Sequence, residues 1–259
     1  VECASPGMSV VGAPVQPIVP TSSPRTRRTG AAKAEVAIAR APEAAGDPRL
    51  DVRAASDIVT DLATVIVANK AYLSKIDGLI GDGDHGINMA KGFGRAAERI
   101  AGQNLTLDAA LSVLSDVLMT EIGGSMGPLY GFMFGNMARA IEGRQAIDAE
   151  GFGIMLRAGM QGVRTMGAAE PGDKTLVDCL VPAISAYEAA RPEGFETALT
   201  AMARAAEAGR DSTIDMVARL GRASRLGERS RGVLDAGATS CALILTTLAS
   251  SVTTHLSRM

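Results

Sequence analysis

The sequence predicts an all-α fold, and three observations support that prediction. Apolar residues recur at three- and four-residue intervals from about residue 50 onward, as at Ile58, Leu62 and Val65, and this spacing forms one face of a helix. The two-residue alternation of a half-buried strand is almost absent. Short connectors favour antiparallel neighbours, so an up-and-down bundle or a closed helical barrel is the simplest arrangement.

The elements follow in order along the chain. Residues 1–52 are rich in Pro, Ala, Ser, Gly and Arg without a sustained amphipathic period, so we expect a disordered extension, a linker or a non-native start. Residues 53–259 form the expected helical domain, beginning with a helix around Ile58. Later apolar periods predict helices over about 85–102, 106–121, 128–142, 148–166, 173–190, 195–208, 212–222 and 238–257.

Composition limits the classes of function. With 259 residues, 47% of them hydrophobic, the chain is long enough to bury one sizeable core. A net charge of -2 and an aromatic content of 3% argue against binding of nucleic acid. Three cysteines without CxxC spacing suit a reducing, cytoplasmic location. No apolar stretch reaches the roughly 20 residues that a membrane span needs.

One glycine-rich turn carries most of the chemistry. Between two helical segments, residues 77–88 hold the carboxylates of Asp77, Asp82 and Asp84, together with His85 and Asn88. Asp-Gly turns are ordinary in loops, but three acids at one turn repel one another unless a cation lies between them. An EF-hand is excluded, because neither register places a Glu at position 12. The turn therefore predicts a Mg²⁺ site that shares its ion with substrate phosphates.

Three further motifs precede predicted helices, and they are Gly123–Pro128, Pro171–Thr175 and Asp235–Thr239. Helix N-termini bind anions through free N–H groups and the helix dipole, while glycine permits close approach of the backbone. Each motif alone is more often a simple cap, and Asp173 and Asp235 are good N-cap residues. Their combination with the acidic turn favours a phosphate site, since one bundle can bring all these ends to the same rim.

Four motifs of the sequence resemble, in their order along the chain, those of one family. They are Gly81-Asp82-Gly83-Asp84-His85-Gly86, Gly123-Gly124…Gly127-Pro128-Leu129-Tyr130-Gly131, Glu170-Pro171-Gly172-Asp173-Lys174-Thr175 and Gly221-Arg222-Ala223-Ser224…Gly227-Glu228-Arg229-Ser230. The chain resembles the nucleotide-binding L subunit, or L domain, of dihydroxyacetone kinases from about residue 53 to the C-terminus. The resemblance implies an eight-helix antiparallel barrel, with ADP or ATP and two Mg²⁺ ions at one end.

The resemblance also implies a role for individual residues. Asp77, Asp82 and Asp84 match the Mg²⁺ ligands of the family. The positions that match nucleotide contacts are His85, Asn88, Met126, Gly127, Gly167, Leu176, Arg222, Asp235, Ala236 and Gly237. Two of them depart from the family pattern: Met126 replaces a common serine, and Ala236 replaces a common proline. The resemblance assigns no catalytic residue to this chain.

The implied activity is phosphoryl transfer to a short ketose held by a separate K subunit, so this chain alone should be inactive. Either a phosphohistidine-carrying M subunit rephosphorylates a bound ADP, or ATP exchanges freely, and the residues do not decide between them. Several alternatives stay open. The acceptor could be a tetrulose, and the chain could form a homodimer. The chain could also be a non-catalytic nucleotide-binding module, or a scaffold whose acidic turn binds Ca²⁺ or nothing.

Overall fold

The computed structural model describes residues 47–258, and these form the all-α fold that the sequence predicts. The α-helices of this range are α1 Asp57–Ala68, α2 Lys70–Ile80, α3 His85–Ile100, α4 Leu107–Glu121, α5 Met126–Ile141, α6 Ala149–Met166, α7 Val177–Ala190, α8 Phe195–Ser212 and α9 Ala236–His255. Short 3-10 segments occupy Arg191–Glu193, Thr213–Asp215 and Arg222–Ser230.

Eight of the described helices form a closed ring. Going around it, α1 contacts α3, each helix from α3 to α8 contacts its successor, and α9 packs on both α8 and α1. Helix α2 continues from α1 after a break at Asn69, whose side-chain amide donates to the Val65 carbonyl at 2.8 Å. The eight-helix barrel that the resemblance implies is thereby confirmed.

A small antiparallel sheet lies at the end of the ring where α1 begins. It consists of β1 Pro48–Asp51, β2 Ala146–Ile147 and β3 Leu256–Arg258, in the order β2-β1-β3. The predicted extension includes residues 48–52, yet Leu50 and Val52 are fully buried. These residues belong to the folded unit, and their period is too short to detect in sequence. The disorder expected for residues 1–46 concerns residues outside the described range.

Two helix predictions need correction. The predicted helix over 212–222 is wrong, since only Thr213–Asp215 forms a 3-10 turn and the segment then becomes irregular. Its apolar residues Ile214 and Leu220 are exposed, so their spacing does not mark a buried face. Helix α7 begins at Val177 rather than 173, because Lys174 adopts a φ of 63°, which a right-handed helix does not accept.

The core fills the inside of the ring. Its largest buried side chains include the aromatic group Phe93, Phe134 and Tyr130 and the aromatic pair Phe152 and Tyr187. Although the sequence predicts no apolar stretch of that length, α9 alone among the described helices is long and apolar enough, by length and composition, to cross a membrane. Two thirds of its most apolar stretch (67%) is buried inside this fold, which is the pattern of a core helix packed against its neighbours.

Candidate functional site

Four connections meet at the end of the ring opposite the sheet and line one cavity of about 450 Å³. They are the α2–α3, α4–α5 and α6–α7 connections and the segment that leads into α9. In an antiparallel ring these connections all fall at the same end, which explains why motifs far apart in sequence come together. The shared rim expected from the sequence is confirmed.

The three carboxylates converge at one side of this cavity. One ligand atom from each of Asp77, Asp82 and Asp84 lies within 4.8 Å of the others. Asp77 extends from the last turn of α2, and one of its oxygens also accepts the His85 backbone N–H at 3.2 Å. A Cβ at Gly81 would stand 2.4 Å from the other Asp77 oxygen, so this glycine leaves room for the carboxylate.

This donor set fits a hard divalent cation. Three converging carboxylates repel one another without a positive charge between them, and oxygen ligands are those that Mg²⁺ prefers. The Arg222 guanidinium lies against Asp82 and stands 3.7 Å from an Asp84 oxygen. Arg222 thus lies where it can contact both the acidic cluster and any phosphate bound to its cation.

His85 is buried at the first turn of α3, only 6% exposed. Its Nε2 lies 3.0 Å from the Ser240 hydroxyl, which in turn lies 2.8 Å from the Tyr130 hydroxyl. Burial lowers the pKa of His85 to about 4 despite the nearby Asp77 carboxylate, so the imidazole is neutral at pH 7. The network through Ser240 and Tyr130 fixes the plane of the His85 ring.

The opposite side of the cavity is apolar. Gly167, Leu129, Val163 and Leu176 line it, and a flat heterocycle suits such walls. Asn88, Met126, Ala236 and Gly237 also line the cavity. Gly127 does not: it packs α5 against α4, where an added Cβ would stand 2.6 Å from the Leu118 carbonyl.

Asp235 and Asp178 organise the two loops near this apolar side. Asp235 caps α9 by accepting the Ala238 N–H at 2.7 Å, and burial raises its pKa to about 6. Asp178, in the first turn of α7, accepts the Gly172 N–H and, at 2.7 Å, the Thr175 N–H. Its carboxylate therefore shapes the turn that precedes its own helix.

Lys174 is the buried cation of the same turn, only 2% exposed. Burial lowers the pKa of its ammonium, and the nearby Asp235 carboxylate opposes this effect. Four backbone carbonyls surround its Nζ, all from residues between α8 and α9.

Sequence reasoning missed Ser240, Tyr130 and Lys174 as functional candidates. Ser240 and Tyr130 sit inside apolar helical periods, where a polar residue is easily taken for a tolerated substitution. A buried hydroxyl needs a partner, so a Ser and a Tyr on inward-facing positions were the available signal. Lys174 stands inside the motif Glu170–Thr175, but nothing in the sequence indicated its partners, which are backbone atoms.

The fold and the site define a class: an all-α domain that binds a nucleotide together with a divalent cation. Residues 79–250 match the family model described as the DAK2 domain. The chain belongs to this DAK2 domain family.

Relatives of two kinds share this similarity. The ADP-binding subunit DhaL of the PEP-dependent dihydroxyacetone kinase of Escherichia coli is 38% identical over 194 residues, covering 74% of this chain and 92% of that protein. The L-erythrulose 1-kinase of Mycolicibacterium smegmatis is 31% identical over 238 residues, covering 89% of this chain but only 40% of that longer enzyme. A solved structure, the dihydroxyacetone kinase of C. freundii in complex with AMP-PNP and Mg²⁺, shares the fold with a TM-score of 0.58, at 23% identity over 88% of this chain and 38% of that one.

Proposed function

We propose that this chain is the nucleotide-binding subunit of a dihydroxyacetone-type kinase, which presents a phosphoryl group to a short ketose bound by a separate K subunit. The observation that carries the proposal is the convergence of Asp77, Asp82 and Asp84 beside a cavity with one apolar wall. The similarity to ADP-binding DhaL over nearly the whole length of that subunit supports it.

Within this proposal the residues divide the work of phosphoryl transfer. Bound Mg²⁺, of which we propose two ions, would neutralise phosphate charge. Asp77, Asp82 and Asp84 would hold the cations, while Arg222 and the N-terminus of α5 would orient the phosphates. Neutral His85 and Asn88 would offer hydrogen bonds without adding charge. Leu176 and Gly167 would contact the base, and Asp235, Ala236 and Gly237 would close the cavity beside it.

The acidic cluster and the apolar wall of the cavity suit a nucleotide with its cation. We therefore propose that the ketose binds to the K subunit. Similarity to a PEP-dependent relative favours an M subunit as phosphoryl donor and ADP as a retained prosthetic group. We place the protein in the cytoplasm, consistent with the free, buried thiols of Cys179 and Cys241. The chain could also form a homodimer, and light scattering would measure its mass in solution to test this.

A second candidate is the L component of an ATP-dependent kinase acting on dihydroxyacetone or a tetrulose. One observation favours it: the match to L-erythrulose 1-kinase covers 89% of this chain. Residues 53–259 are only about four fifths of the chain, so that match reaches into residues 1–52. The proposed division into an extension, residues 1–52, and a nucleotide-binding domain, residues 53–259, would then correspond to a linker followed by an L domain, except that residues 48–52, with the buried Leu50 and Val52, pack with the L domain.

The first experiment identifies the small molecule that the purified, Mg²⁺-containing protein releases on denaturation, by chromatography and mass spectrometry. One ADP per chain supports the PEP-dependent kinase subunit. Absence of bound nucleotide, followed by reversible binding of ATP with Mg²⁺, supports the ATP-dependent candidate. Absence of any binding of ADP or ATP contradicts both.

A second experiment tests the transfer itself. The chain is mixed with a K subunit and dihydroxyacetone, and product is measured either with ATP or with PEP, the phosphotransferase proteins and an M subunit. Product with only one donor selects between the candidates. Tight nucleotide binding without product under any of these conditions, and with erythrulose as well, would instead support a non-catalytic nucleotide-binding module.

A further inference from the structure

The segment between α8 and α9, residues 213–235, forms part of the cavity wall but has almost no apolar core of its own. Within it only Thr213, Ala218 and Ser230 are buried, and Ala218 is the single apolar residue among the three. Apolar burial is the main source of stability for a segment, so something else must hold this one in place. We call it the α8–α9 segment.

Hydrogen bonds join the two limbs of the segment directly, from the Gly232 N–H to the Ile214 carbonyl at 2.7 Å and from the Ala218 N–H to the Ser230 hydroxyl at 2.9 Å. The ammonium group of Lys174 supplies the further support that comes from outside the segment. Its Nζ donates to the carbonyls of Thr213 at 2.7 Å, Ser230 at 2.7 Å and Val233 at 2.6 Å, and lies 3.2 Å from that of Met216. Two of these carbonyls belong to the first limb of the segment and two to its return limb. An ammonium has three N–H donors in total, so this one is fully used in joining the two limbs.

The turn that carries Lys174 is itself part of the cavity wall. Thr175 and Leu176 line the apolar side, and the Asp173 carbonyl accepts the Arg219 N–H at 3.1 Å. The α8–α9 segment carries Arg222, which reaches the carboxylates across the cavity. Lys174 therefore connects the wall that faces the base to the segment that provides the arginine.

We propose that Lys174 is a positioning residue that clamps the α8–α9 segment over the cavity and thereby sets how fast the nucleotide leaves. Lys174 lines the cavity, but its Nζ is engaged by the four carbonyls, so its ammonium acts through the segment that carries Arg222. The link to nucleotide release rests on the function proposed above, whereas the clamp itself is a property of the protein without ligand.

The clamp is tested first, on the full-length protein without nucleotide, by hydrogen exchange of Lys174→Met. Methionine keeps the length of the side chain but removes the three donors. Amide exchange is expected to rise at least tenfold within residues 213–233, with no change in α3 to α6. Lys70→Met is the matched control, since Lys70 is exposed at the start of α2. Equal exchange in the two variants would overturn the clamp.

If Lys174→Met does not fold, Lys174→Arg takes its place. Arginine keeps the positive charge, but its planar, forked donors cannot converge on four carbonyls that surround one point. Faster exchange limited to residues 213–233 is again the expected result, and unchanged exchange again overturns the clamp.

The second step measures release of ADP with Mg²⁺ in a double-mutant cycle with Arg222→Ala. Lys174→Met is expected to speed release at least tenfold in the wild-type background and less than threefold in the Arg222→Ala background. A purely structural lysine would give the same factor in both backgrounds, and that result would overturn action through Arg222. Failure of the wild-type protein to bind ADP would contradict the proposed function, while the exchange measurement would still decide the clamp.

Discussion

Asp82 is an exposed residue between α2 and α3, whereas Asp77 and Asp84 are half-buried, so replacement of Asp82 disturbs little packing. We expect Asp82→Asn to weaken binding of ADP with Mg²⁺ at least about 100-fold. Mutation of a residue that only orients a metal ligand already lowers metal affinity by about 10- to 100-fold, and Asp82 is proposed to be a ligand itself. Titration calorimetry measures the affinity, and far-UV circular dichroism should show unchanged helix content. Asp116→Asn, an exposed carboxylate on α4, is the control. Equal affinity in the two variants would refute the assignment of the metal ligands.

Asp235 makes stability depend on pH in a defined direction. Burial raises its pKa to about 6, while the Ala238 N–H and then the Lys174 ammonium lower it, and the Asp178 and Asp77 carboxylates raise it. The folded protein therefore holds a proton that the unfolded chain releases near pH 4. This carboxyl contributes its full stability below about pH 4, and that contribution is lost as the pH rises through 6.

We expect Asp235→Asn to abolish this loss. The amide oxygen of Asn can still accept the Ala238 N–H and cap α9, but the side chain no longer titrates. The free energy of unfolding of the variant, relative to wild type, should rise by on the order of 2–3 kcal/mol between pH 4 and pH 7. Urea unfolding of both proteins in EDTA measures this difference in free energy. The titration of His85 changes the stability in the opposite direction over the same pH range, but it is common to both proteins and therefore cancels in the comparison. Parallel curves for the two proteins would show that folding does not raise the pKa of Asp235.

At the scale of elements, glycines decide how closely the helices pack. Gly209 lies in α8 where it crosses α7, and an added Cβ would stand 2.4 Å from the Asp178 carbonyl and 2.9 Å from the Cys179 Cα. Gly94 lies in the interior of α3, and a Cβ there would meet only Val67, at 3.7 Å. The two positions share a helical backbone and differ in the space around them.

We therefore expect opposite effects from the same substitution. Gly94→Ala should stabilise the protein by about 0.5–1 kcal/mol through helix propensity alone. Gly209→Ala gains the same propensity but must separate two backbones, and overpacking of this kind costs about 1–3 kcal/mol. Thermal unfolding of both variants gives the difference between them, in which the propensity cancels. A Gly209→Ala protein as stable as Gly94→Ala would mean that α7 and α8 separate freely.

Most helices were predictable because each carries its own apolar period, and α4 and α6 begin within one residue of their predicted starts. The errors fall where a single contact overrides local pattern. Nothing in the sequence near Lys174 shows that distant carbonyls hold it at a positive φ, and the apolar residues Ile214 and Leu220 suggested a buried face where none exists. Strand β1 was missed because its partners are more than ninety residues away.

At the scale of the whole molecule, the ring separates binding from stability. The connections that line the cavity follow α2, α4, α6 and α8, whereas the strands precede α1, join α5 to α6 and follow α9. The sequence could predict that the motifs lie in one site, because alternate connections of an antiparallel ring share one end. The His85–Ser240–Tyr130 network could not, since it depends on how α3, α5 and α9 are rotated about their axes.

This separation predicts that the sheet can be removed with loss of stability but not of binding. A chain that begins at Ala54 lacks β1, Leu50 and Val52, whereas a chain that begins at Asp47 keeps them, and both lack residues 1–46. Leu50 and Val52 are fully buried, and burial of each side chain is worth about 1.5–3 kcal/mol. Val52 also accepts the Leu107 N–H at 2.7 Å and donates to Gln145 at 3.0 Å.

We expect the free energy of unfolding of the shorter chain to be about 3–5 kcal/mol lower than that of the longer chain, as measured by urea denaturation. At a temperature where both chains are folded, their affinities for ADP with Mg²⁺ should agree within about threefold, because no strand residue lines the cavity. Equal stability would place the start of the folded domain at residue 53 or later. A loss of affinity in a chain that remains folded would show instead that the sheet end and the site end of the ring are coupled. In that case the packing of the helices at the sheet end would also set the spacing of the loops that line the cavity at the other end.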